Sequence, residues 1–289
     1  MGILKNLSSV LNTASDILNS DAAKQVIGAI KNGGAQGGSI DIASGLKAAL
    51  QVGIETAAKN LGAENGYLAD AAVKIGLPKE AVTTFGAVQS LASNQAFNSV
   101  LNATGVSIPT SDTIITLFNR AAENAAPKSV DTFVNAITSM SIDDAKHILF
   151  GEDNAATTYL KDHTYTNLQS AFMPSITSSL NTIQIANVTP TQAWSTYATY
   201  NNKLVELLDS SAVKAALELA KLTGVLKEEH IASLASIDLV NKDLSDYITG
   251  KALDGLFLKV SEKENDIRHN ASARVSDVLQ SVFGLLDKK

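Results

Sequence analysis

Residues 243–268, DLSDYITGKALDGLFLKVSEKENDIR, read as the clearest long helix of the chain and decide its class. Lys259 with Glu262 and Glu264 with Arg268 fall three and four residues apart, where opposite charges meet on one helical face, so both are expected to pair on the solvated side. Asp254 stands alone amid Ala252-Leu-Asp-Gly-Leu-Phe-Leu258; it either partners an arginine or is an acid whose pKa burial raises. Beyond this stretch a last helix starts at Ala271, with Val275, Val278, Leu279, Val282, Phe283 and Leu286 as one apolar stripe.

Toward the N-terminus the same periodicity recurs between recognisable caps. A helical pattern covers 211–223, stops at Gly224 and resumes near 227, and Thr189-Pro190 supplies an N-cap and a first-position proline. Residues 154–172 read as a helix that Pro174 kinks or breaks. Between Asn181 and Val188 the β-branched content rises, but one such piece makes no sheet by itself. Ser141 with Asp144 forms a capping-box variant for a helix that Gly151 closes, Pro127 starts a helix to Met140, and Ser111 caps one through Asn124. Pro78 opens a further helix. Asp41 caps one that holds Leu46, Leu50, Ile54 and Ala57 and ends where Gly62 takes the left-handed conformation.

Before Asp41 the character changes. Ile3, Leu4, Leu7, Val10, Leu11, Ala14, Ile17 and Leu18 mark an amphipathic helix within 3–31, and Gly33-Gly34-Ala35-Gln36-Gly37-Gly38 is a joint that no helix runs through. The expected organisation is all-α: a helical arm over 1–32, a Gly-rich linker over 33–39, and one irregular multi-helix domain over 40–289. No fixed-period repeat emerges, which argues against a regular solenoid.

Composition narrows the chemistry. Hydrophobic residues are 45% of the chain but aromatics only 5%, so the core is built from Ala, Leu, Val and Ile, which suit close helix packing. Lys plus Arg number 23 against 29 Asp plus Glu, with no dense basic run, which disfavours nucleic acid and anionic lipid as partners. The absence of Cys removes disulfides, thiol nucleophiles and Cys-type zinc sites. No apolar run reaches a membrane span, and no signal peptide is visible from Met1 onward. If a leader has been removed, the compartment is the periplasm, the cell envelope or the exterior; otherwise it is the cytoplasm.

Familiar catalytic and metal motifs fail on spacing. His147, His163, His230 and His269 include no His-x-x-x-His, no Ser lies in G-x-S-x-G, and the glycines at 33, 34, 37 and 38 do not make G-x-G-x-x-G. Asn241-Lys-Asp243-Leu-Ser245 begins like a calcium loop but has Asp246 where the turn needs Gly and Ala252 where it needs Glu. No cofactor motif is identified. Two constellations remain. Trp194, Tyr197 and Tyr200 recur every three residues; they either pack in the core or line a pocket for an apolar small molecule, with the phenol hydroxyls orienting it. Arg120 and Glu123 are either a buried structural pair or two polar groups of a site, which Asp254, Glu264 and Arg268 would complete.

Several strings together resemble one bacterial family, the domain of unknown function 4197: Leu46-Lys-Ala-Ala-Leu-Gln-Val-Gly53, Asn119-Arg-Ala-Ala-Glu-Asn-Ala-Ala-Pro127, Asp144-Ala-Lys-His-Ile-Leu149 with Ala155-Ala-Thr-Thr-Tyr-Leu160, and Asp246-Tyr-Ile-Thr-Gly-Lys-Ala-Leu-Asp-Gly-Leu-Phe257 followed by Glu264, Ile267-Arg268 and Ala273-Arg274. The resemblance covers most of 40–284. It implies a helical protein, usually with an export or lipoprotein leader, and no established activity. The chain departs from that pattern in lacking the leader and in being longer around 92–112 and 209–236. The leading expectation is a non-enzymatic binding or interaction protein of the cell envelope, holding an apolar small molecule between helices. The alternatives are a homo-oligomer assembled through residues 3–31 and an enzyme using Arg120, Glu123, Asp254, Glu264 and Arg268.

Overall fold

The computed structural model describes residues 41–91, 109–143 and 145–288. The expected arm and linker, and Asp144 of the capping-box variant, lie outside the described residues. Among the described residues the protein is all-α: α1 Ile42–Leu61, α2 Lys79–Leu91, α3 Ser111–Ala125, α4 Val130–Ser139, α5 Ala145–Leu149, α6 Ala155–Thr182, α7 Pro190–Asp209, α8 Ser211–Leu222, α9 Glu228–Ala235, α10 Ser245–His269 and α11 Asp277–Phe283. The β-branched piece after α6 makes one antiparallel bridge, Ile185 to Val188, around Ala186 and Asn187 at φ 51° and 64°. None of these helices is long and apolar enough to cross a membrane.

The described residues form two compact units, one within 41–73, 122–175 and 249–288, the other within 74–91, 109–121 and 176–248. In the first, α1 is the hub. Asp41 caps it, its carboxylate accepting from Ser44 N at 3.1 Å, and Leu46, Leu50, Ile54, Ala57 and Leu61 are all buried. Buried residues lie nearly all round this helix, as expected of one enclosed by α4, α5, α11 and the 3-10 turn Ala126–Ser129. In the second unit, α9 packs on α2, and Ala87, Leu234 and Ile237 form a cluster covered by Leu204, Leu208, Leu217 and Leu226.

Four local expectations are corrected. Gly62 is right-handed, at φ −77°, and its lack of a side chain serves packing: a Cβ there would come within 2.6 Å of Pro127 Cγ. The cap of α3 is Thr110, whose hydroxyl accepts from Thr113 N at 3.2 Å, with Ser111 already inside the helix. Pro174 does not end α6. Leu168, Phe172, Ile176 and Leu180 continue one buried stripe across it, each worth about 1.5–3 kcal/mol against the ~3 kcal/mol that an interior proline costs. The last helix is interrupted: a 3-10 turn at Ala271–Ala273 precedes α11, which starts anew at its Ser276 cap.

Candidate functional site

Of the polar groups singled out in the sequence, Glu264 and Arg268 form a pair, but not on a solvated face. Both are buried, with Arg268 Nη2 2.7 Å from Glu264 Oε1. The pair is held by helix ends. The Glu264 carboxylate accepts from the backbone N–H of Ala156 (2.9 Å) and Thr157 (2.7 Å) and from the Thr157 hydroxyl (2.6 Å), satisfying first-turn donors of α6. The Arg268 guanidinium donates to the carbonyls of Leu149 (2.7 Å) and Ile148 (3.1 Å) at the end of α5. A negative charge thus meets the positive end of one helix and a positive charge the negative end of another. Arg274 repeats the device on α10, donating to Ile267 O and Arg268 O, both at 2.9 Å, and then to Asp287.

The other members serve different segments. Glu123 is buried and accepts from Tyr67 N (3.2 Å) and Leu68 N (3.1 Å), pinning the turn after α1. Tyr67, fully buried, donates its hydroxyl to Ala252 O at 2.7 Å, and burial, with the Glu123 charge second, pushes its phenol above the ordinary range. Asp254 partners a lysine rather than an arginine and is exposed: Lys161 Nζ lies at 3.0 Å and the Tyr165 hydroxyl donates to it at 3.2 Å. Burial, with Asp254 next, drives the Tyr165 phenol up to about 12. Asp254 and Glu264 are ten residues apart on one helix, about 15 Å. Arg120 is half-buried on α3 and falls in the other unit.

A surface cleft of about 260 Å³ opens beside the buried pair, lined by Phe150, Asp153, Arg268, His269 and Asp287 among others. Its polar groups are engaged in pairs: His269 Nε2 sits 2.7 Å from Asp153 Oδ1, and Asp287 holds Arg274. Among the described residues no three His, Asp or Glu side chains gather as metal ligands.

The aromatic face of α7 is packed inward. Trp194 and Tyr197 are buried with centroids 5.0 Å apart, Phe118 lies against Trp194, and Phe85 stacks on Tyr197 at 4.7 Å. Their polar ends are engaged: the Trp194 indole N–H donates to Asn241 O at 2.8 Å, and the Tyr197 hydroxyl bonds to the Asn201 side chain at 3.3 Å. Burial raises the Tyr197 phenol to about 12 and also raises that of the half-buried Tyr200. Two asparagines that sequence reading passed over continue this work. Asn201 donates to Asp238 O (2.8 Å), and Asn202 holds Val240 by both its N–H (2.9 Å) and its carbonyl (3.0 Å). Asn119 grips Ile75 in the same two-point way. An asparagine's sequence neighbours carry no signal of such distant backbone partners.

In the second unit one side of α8 is apolar and uncovered, beside single exposed side chains such as Leu239 and Val82. At 100° per residue, Val213, Leu217 and Ala220 share an arc of about 60°; these are its half-exposed residues, and Leu217 packs on the Leu234 cluster. Ala212, Ala215, Ala216, Leu219 and Leu222 occupy a further arc of about 120°, and every one of them is exposed, Leu219 by 61% and Leu222 by 83%. No residue of this 12-residue helix is buried. Its lysines are neutralised nearby: Lys214 Nζ is 2.6 Å from Asp209 and Lys221 Nζ 2.9 Å from Glu228. The Lys214 bond holds the Asp209 carboxyl below its usual range, and the Lys221 bond does the same to Glu228.

A model of the family described as "Protein of unknown function (DUF4197)" matches residues 37–220 and 198–284. No curated protein and no solved structure matches the chain.

Proposed function

The chain belongs to the DUF4197 family, and we propose that it is a non-enzymatic interaction protein that receives a helical partner on the outward apolar arc of α8. The observation that carries this reading is the mismatch between sequence and burial on that helix. Apolar residues cover well over half of its circumference, yet one narrow arc packs on the protein itself. A helix of that character is normally covered on two sides. The exposed arc combines alanines, which let a second backbone approach closely, with two leucines that fill the space beside them. Because the flanking lysines are already paired with acids, the surface offers no excess positive charge for phosphate or anionic lipid. An apolar protein helix is the chemistry that fits.

The natural absence of cysteine makes a direct test available. Leu222→Cys and a control on an exposed polar position, Lys242→Cys, are labelled with a membrane-permeant maleimide in living cells and as dilute purified protein. The expected result is equal labelling of the purified proteins once they are diluted until monomeric, and selective protection of position 222 in cells. Equal labelling of both positions in cells would overturn the reading.

A further inference from the structure

The N-terminal segment lies outside the described residues, but its sequence carries a spacing that α8 answers. On α8 the exposed residues Ala212, Ala215, Leu219 and Leu222 follow one another by three, four and three residues, the a/d seam of a two-helix contact. Leu7, Val10, Ala14 and Ile17 follow one another by the same three, four and three. Set side by side in parallel, the two seams place Leu7 against Ala212, Val10 against Ala215 and Ala14 against Leu219. Large thus meets small in three layers of four, which fills the space between helices without overcrowding it. Ile17 against Leu222, two large side chains, makes the fourth the one crowded layer of the parallel register. The antiparallel register sets Ala14 against Ala215, leaving one layer empty, and Leu7 against Leu222 and Val10 against Leu219, leaving two overfull.

We propose that residues 7–17 of a second copy of this chain occupy the outward arc of α8, so that two copies exchange N-terminal segments. This rests on the reading of α8 as a docking surface and names its occupant. Charge agrees with it. The segment from Leu7 to Ile17 holds a single ionisable side chain, Asp16, and the α8 lysines are already paired, so the contact buries no unmatched cation. Reach agrees too. Between Leu18 and Asp41 lie 22 residues including two glycine pairs, a span of up to about 70 Å when extended. Reciprocal exchange also closes the assembly as a twofold dimer, covering both seams without leaving a free end that would grow a filament.

The test uses full-length single-cysteine chains mixed in pairs and oxidised. Ile17→Cys mixed with Leu222→Cys, and Val10→Cys mixed with Ala215→Cys, are expected to give heterodimeric disulfides. The out-of-register mixture, Val10→Cys with Leu222→Cys, is expected to give none. Sedimentation should show a dimer that becomes monomeric when the chain starts at Ser39. A cross-link found solely within single chains carrying both cysteines, or a register-independent yield, would overturn the exchange. If no mixture cross-links while Leu222→Cys stays protected in cells, this occupant is wrong and the docking surface stands. If that protection is also missing, both fall.

Discussion

Arg268 lies one turn after Glu264 on α10 and closes a 2.7 Å ion pair with it in the interior, at 2% and 1% side-chain exposure. The arrangement is tolerable because nothing in it is left alone: the carboxylate takes two backbone N–H groups from α6 and the guanidinium two carbonyls from α5. Glu264→Gln keeps the shape and removes the compensating charge. It is expected to cost about 3–5 kcal/mol, the scale for a buried ion deprived of its partner, with Arg268→Met added to it restoring part of the loss. Urea unfolding of the three chains checks this, and a cost below about 1 kcal/mol for Glu264→Gln would contradict it.

Asp287 is held below the ordinary carboxylate range by its bonds to Arg274. A depressed folded-state pKa means that the contribution is fully present above the unfolded value of 3.8 and disappears as the pH falls through the folded value. The stability difference between the natural chain and Asp287→Asn should therefore be constant near neutrality and shrink to nothing in strong acid. A difference that persists at pH 2 would assign the effect to shape rather than charge.

Two glycines are expected to behave oppositely. A Cβ on Gly45 would collide with the Val282 side chain of α11, so Gly45→Ala should cost about 1–3 kcal/mol as an overpacking change. Gly86 on α2 has open space around it, and Gly86→Ala should stabilise by about 0.4–1 kcal/mol through the unfolded chain. Thermal melts of both variants distinguish steric from entropic control.

Within α8 the same residue type should give different answers on its two sides. Leu217→Ala removes packing from the Leu234 cluster and is expected to cost at least about 1 kcal/mol, whereas Leu222→Ala on the exposed arc should stay within about 0.5 kcal/mol. Denaturant midpoints measured on dilute protein report this directly. A large loss at Leu222 in the monomer would mean that its side chain packs within its own chain.

Local chemistry was readable at several helix ends, though the start of α3 was placed one residue late, at Ser111 instead of Thr110. Asp41 and Thr189 cap where a short polar side chain precedes an apolar period, and Gly224, at φ 71°, turns the chain after α8. Reading failed where the deciding neighbour is far along the chain. Gly62 looked like a left-handed cap because Pro127, which demands its missing side chain, is 65 residues away. Pro174 left a kink and a break both open because the burial that carries the helix through it depends on what covers the stripe from Leu168 to Leu180.

Spacing along one chain therefore determined the class of structure, caps such as Asp41 and Thr189, and the belonging of Glu264 and Arg268 to one another, since partners three or four residues apart meet on any helix. It left undecided whether that pair faces water, whether Trp194 and Tyr197 line a pocket or fill a core, and which of two apolar arcs on α8 is covered. Those are questions of which surfaces lose water. They are settled by contacts between residues remote in sequence, which periodicity does not encode.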